Sequence, residues 1–130
     1  MEDHKNDLIL ILAGYLNEME IFLQTNPGLR SRFPIHIEFK DYNDTELIEI
    51  AEQICSARQY QLSPQARLAM LCRLNAPQFQ ETAHLGNART VRNIIERALR
   101  LQAVRLIEKK SITRQDLLLI EPSDLPEVEA

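Results

Sequence analysis

The chain has 130 residues, with 15 Lys and Arg against 19 Asp and Glu for a net charge of −4; 45% of it is hydrophobic, 26% charged and 5% aromatic. It is one soluble domain at most, large enough to bury a core, and no stretch approaches the ~18 consecutive apolar residues of a membrane span. The opening Met-Glu-Asp-His-Lys-Asn-Asp is acidic where a secretory signal would be basic, so a cytoplasmic location is expected.

Leu8-Ile9-Leu10-Ile11-Leu12-Ala13 is an unbroken apolar run closed by Gly14, the pattern of a parallel strand covered on both faces. Residues 16–24 follow as a short helix, with Leu16, Met19, Ile21, Phe22 and Leu23 apolar, Glu18 and Glu20 turned outward, and Asn26-Pro27-Gly28 as the stop. Ile35, Ile37 and Phe39 alternate with His36 and Glu38, a second strand covered on one face or nearer an edge. From Asp41 the pattern turns helical. Asn43 and Glu46 form a capping box ahead of Leu47, Ile50, Ala51, Ile54 and Cys55. Ser63 and Pro64 open a helix carrying Leu68, Leu71 and Cys72, and a loop is expected through residues 77–86. The longest helix is predicted over 87–109, with Val91, Ile94, Ile95, Ala98 and Leu101 on one face. Thr113 and Asp116 then open a short segment over 117–120, and residues 122–130 read as an acidic disordered tail. Two strands cannot cover both faces of the run 8–13, so the sheet looks incomplete and the chain is expected to be the back half of a larger α/β protein.

Charge is unevenly spread: residues 1–52 carry −7, 53–115 carry +8 and 116–130 carry −5. The basic middle suits phosphate on a small ligand or an acidic neighbour, while acidic flanks and scarce aromatics argue against nucleic acid. Cys55 and Cys72 sit at helical spacing among apolar residues and read as buried small hydrophobes. His4, His36 and His84 are scattered, so no metal site is expected.

Three places could carry chemistry. Tyr15 follows Gly14 at the carboxyl end of the first strand, the edge where open α/β sheets bind ligands; an ordinary turn is the alternative. Arg30 and Arg32 lie in Asn26-Pro27-Gly28-Leu29-Arg30-Ser31-Arg32-Phe33-Pro34, either as solvated surface cations or as guanidinium groups offered to phosphate by a stiff loop. Arg89, Arg92, Arg97 and Arg100 share an arc opposite the apolar stripe of the long helix. Arg89 lies in its first turn, where free N–H groups and the helix dipole favour an anion. No Gly-rich phosphate loop of the Walker A kind occurs, and no apolar strand ends in Asp-Glu to hold magnesium. Hydrolysis by the chain alone is therefore not expected.

Ile9-Leu10-Ile11-Leu12-Ala13-Gly14-Tyr15, the Asn26 to Phe33 segment, Glu38-Phe39-Lys40-Asp41-Tyr42 and Gly86-Asn87-Ala88-Arg89-Thr90-Val91-Arg92-Asn93 stand in order. Together they resemble the C-terminal half of a AAA+ ATPase of the CbxX/CfqX group, which includes red-type rubisco activase and stage V sporulation protein K. The resemblance implies an α/β remnant of two strands and one helix over 1–40, an all-α helical lid over 41–121 and the tail over 122–130, predominantly helical overall. It also implies that Tyr15 stands at the sensor-1 place and that Arg32, with Arg30 as second candidate, is the arginine finger reaching a neighbour's γ-phosphate. Arg89 would be the sensor-2 arginine, with Arg92 beside it. The implied cofactors are ATP and Mg²⁺ in the complete ATPase, with no tight binding by this chain; the implied partners are other AAA+ subunits in a hexamer and a protein substrate to be remodelled. The resemblance makes the chain a fragment, engineered or from a truncated or split gene. The rival expectation is a stand-alone helical module docking an acidic partner.

Overall fold

The structure, a computed structural model, describes residues 7–83 and 86–127. His4, His84 and the last three residues of the acidic tail lie outside the described residues. The chain divides into two compact units, Met1–Lys40 and Asp41–Ala130.

The first unit holds helix α1 (Leu16–Gln24) and the one-turn helix α2 (Leu29–Arg32). Asn26 Oδ1 accepts the Gly28 N–H at 3.0 Å, and this turn ends α1 and starts α2. The described residues are predominantly helical, as expected; of the two strands expected in this unit, neither 8–13 nor 35–39 is paired among the described residues. A helix satisfies its backbone within itself, whereas a strand needs a neighbour. The run keeps its twofold pattern even so, with Leu8, Leu10 and Leu12 at 50%, 44% and 40% exposure against 90% and 85% for Ile9 and Ile11.

The second unit is a bundle of α3 (Asp44–Ala57), α4 (Pro64–Leu74), α5 (Pro77–Ala83), α6 (Asn87–Ile107) and α7 (Arg114–Leu118). The Asn43–Glu46 capping box opens α3, and Ser63 Oγ accepts the Ala66 N–H at 3.0 Å with Pro64 in the first turn of α4. The core runs through Leu47, Ile48, Ala51 and Cys55 of α3, Ala66, Met70 and Leu74 of α4, Phe79 of α5, and Val91, Ile94, Ile95 and Ala98 of α6. Two short strands, β1 (Gln61–Leu62) and β2 (Leu119–Ile120), pair in parallel, so the unit is not purely helical.

Several faces differ from those expected. Helix α4 buries Ala66, Met70 and Leu74 and leaves Leu68 64% exposed; with apolar residues around much of its circumference, periodicity alone does not choose its face. Part of the expected loop 77–86 is helix α5, because Pro77 suits a first helical turn as well as it suits a break. In α6 the buried stripe continues through Gln102 and Leu106, while Leu101 is 40% exposed.

The largest correction concerns residues 122–126, which pack instead of trailing as a disordered tail. Pro122–Asp124 forms a 3-10 turn, and Asp124 and Leu125 are buried. Asp124 accepts both Arg105 Nε at 2.8 Å and Arg105 Nη2 at 3.0 Å. That pairing, chiefly through hydrogen bonding, raises the Arg105 pKa further above its ordinary value. Arg73 donates to the carbonyls of Pro126 at 2.7 Å and Leu125 at 3.0 Å. Ahead of this strap, Gln102 Nε2 donates to the Leu119 carbonyl at 2.9 Å and to those of Leu117 and Asp116 at 3.2 and 3.3 Å. Lys109, 2.8 Å from Asp116, holds that carboxyl down to about 2 with help from the Thr113 amide.

The cysteines divide as well. Cys55 is buried, and burial, then the charge of Glu52, pushes its thiol up to about 11, whereas Cys72 is exposed. Because the thiolate is the reactive form, an aromatic disulfide reagent at pH 8 should modify one thiol per native chain within seconds and the second only on unfolding. Cys72→Ser should abolish the fast phase, and two fast thiols would contradict the buried position of Cys55.

Candidate functional site

The positively charged end of α6 is built from its first residues. Gly86 has φ 112°, a backbone state that strains any side chain, and it turns the chain into the helix. Asn87, the first helical residue, is 7% exposed, and its Nδ2 donates to the Tyr42 carbonyl at 2.8 Å. Thr90 N–H closes on the Gly86 carbonyl at 3.2 Å. Arg89 and Arg92 are both exposed, Arg89 within the first turn and Arg92 just past it. A helix start pairs unfilled N–H groups with a positive dipole end, so a guanidinium there adds a fork of donors to a field that already favours an anion.

In the first unit Arg30 and Arg32 share α2, both exposed. Arg30 forms an ion pair with Glu20 of α1, both groups about half exposed. Such a pair contributes roughly 0–1 kcal/mol in water and is readily exchanged for another anion. Tyr15 occupies the N-cap position of α1 and is 64% exposed; its carbonyl accepts the Met19 N–H at 2.8 Å, while its side chain makes no capping bond. The fold thus brings Arg30 together with Arg32, and Arg89 together with Arg92, in different units. Among the described residues no group of three His, Cys, Asp or Glu side chains could hold a metal ion, and no helix is long and apolar enough to cross a membrane.

Sequence reasoning passed over Asn87 and Gln102. Gln102 stands on the apolar stripe at seven residues from Ile95 and four from Ala98, and a polar residue in that register signals a buried hydrogen-bonding role. For Asn87 the signal is weaker: an amide next to a glycine at a helix start suggests a cap, not a bond to residue 42.

A capped helical bundle, fastened by a two-strand parallel ladder and a clamped C-terminal strap, places residues 41–127 in the class of helical lid modules. The AAA lid domain family matches residues 43–130, and the chain belongs to that family. It is 44% identical over 126 residues to stage V sporulation protein K of Bacillus subtilis, covering 96% of this chain and 39% of that protein. It is 45% identical over 111 residues to protein CbbX of Cereibacter sphaeroides, covering 85% and 35%. With the chloroplastic ribulose bisphosphate carboxylase/oxygenase activase of Cyanidioschyzon merolae it shares 38% over 127 residues, covering 96% and 43%. The chain spans about two-fifths of the length of these curated relatives.

Proposed function

We propose that this chain is the sensor and lid half of a AAA+ ATPase of the CbxX/CfqX kind, which hydrolyses ATP in a cytoplasmic hexamer to remodel a protein substrate. Arg89 contacts the phosphates of the nucleotide in its own subunit, with Arg92 beside it. Arg32, or Arg30 as second candidate, reaches the γ-phosphate bound by the neighbouring subunit, and Tyr15 stands near the same phosphate as sensor 1. Guanidinium suits both arginine roles because it spreads charge and donates in a planar fork to oxygens that gain charge during phosphoryl transfer. The observation supporting this reading best is an exposed Arg89 in the first turn of the long helix of a lid bundle. The residues present fit ATP as contributors of cations; the phosphate cradle and the Mg²⁺ ligands would come from elsewhere in the ATPase, since no Walker A loop occurs in this chain.

The test joins this chain to the part of stage V sporulation protein K that precedes the matched segment. That chimera should assemble and release phosphate from ATP, while the isolated chain titrated with Mg-ATP should show no saturable heat at micromolar concentrations and no turnover. An assembled but inert chimera, or turnover by the isolated chain, would sink the reading.

A further inference from the structure

The N-cap position of α6 is held by Gly86, which has no side chain to cap the helix. The buried Asn87, one residue inside, donates its side-chain amide to the Tyr42 carbonyl, 45 residues back in the chain. The same peptide unit is held at its other end, where the Asn43 N–H donates to Glu46 Oε2 at 2.8 Å and Asn43 Oδ1 accepts the Glu46 N–H at 2.9 Å. The Tyr42–Asn43 peptide therefore has its carbonyl fixed to α6 and its N–H fixed to α3. It stands at the very start of the unit Asp41–Ala130.

We propose that Asn87 is a positioning residue that ties Arg89, two residues further on, to the backbone at which the lid begins. The inference rests on the reading of Arg89 as the phosphate-contacting arginine and adds how that arginine is held. One amide makes the first lid peptide and the first turn of α6 a single body, so a phosphate that fixes Arg89 also fixes the lid-side end of the junction near residue 41. Only a donor serves, because the Tyr42 oxygen has lone pairs to offer and a carboxylate in that place would be repelled.

In the full chain, Asn87→Ala should lower amide protection at Thr90, Val91 and Asn43 together by roughly five- to tenfold, the effect of one lost hydrogen bond, and leave α4 unchanged. Asn87→Asp should behave alike at pH 7 but regain protection below pH ~4, where the carboxylic acid donates again; Asn87→Ala should not. In the chimera, Asn87→Ala should raise the nucleotide Kd roughly three- to tenfold, a range set by one hydrogen bond, and have no further effect once Arg89→Ala is present. Arg89→Ala weakening binding while Asn87→Ala does not, or the two effects simply adding, overturns the tether and leaves the proposed function standing. Arg89→Ala without effect on binding overturns both. Protection lost throughout the unit would mark Asn87 as a general packing residue and likewise overturn the tether.

Discussion

Ending the chain after Glu121 should lower the thermal midpoint of the helical unit by roughly 15 °C or more, taking 4–8 °C per kcal/mol for a domain of this size. The deletion takes away Leu125, 4% exposed, whose burial contributes ~2 kcal/mol. It also removes the bidentate acceptor of Arg105 and both carbonyls that Arg73 holds. Hydrogen bonds to charged groups contribute about 1.5–3 kcal/mol each when buried, and the Arg105 side chain is 32% exposed, so a total of about 4 kcal/mol is the scale. Asp124→Asn should give a smaller loss, since it keeps the shape and one acceptor oxygen. Thermal unfolding followed by circular dichroism measures both, and a deletion that shifts the midpoint by less than a degree would restore the picture of a disordered tail.

That tail shows where sequence reading stops. Its composition, two prolines among acids, is that of a disordered segment, yet its anchor Asp124 finds Arg105 nineteen residues away, and composition carries no record of such a pairing. Signals held within one element were legible: Asn43 with Glu46, Ser63 with Pro64, and the stripe Val91, Ile94, Ile95, Ala98 all stand as expected. Signals needing a distant partner were not. The run 8–13 reads as a strand because its side chains want two covered faces, but a strand exists only beside another, and none pairs with it among the described residues. The site divides the same way. The place of Arg89 in the first turn of the long helix is legible because helix position and charge are local properties, whereas the bonds of Asn87 to residue 42 and of Gln102 to residues 116–119 are not.

Arg32→Ala in the chimera should leave nucleotide affinity nearly unchanged and cut turnover by roughly 10³ or more, the scale of an arginine that meets charge developing during transfer. Arg89→Ala should instead weaken nucleotide binding, because a contact made within the same subunit operates in the bound state as well as in the transition state. Position alone cannot separate the two, since Arg32 and Arg89 are both exposed cations near helix ends. Mixing subunits can. A subunit lacking Arg32 but still able to bind ATP should regain turnover at its own site when an unaltered neighbour supplies the finger. A subunit lacking Arg89 should gain nothing from its neighbour. Arg30→Ala adds an internal control: with Glu20 already paired to Arg30, its loss should cost far less than 10³ if Arg32 is the finger, and an inverted order would transfer the role to Arg30. Equal phenotypes for Arg32→Ala and Arg89→Ala, or rescue of neither on mixing, would remove the trans role from Arg32 altogether.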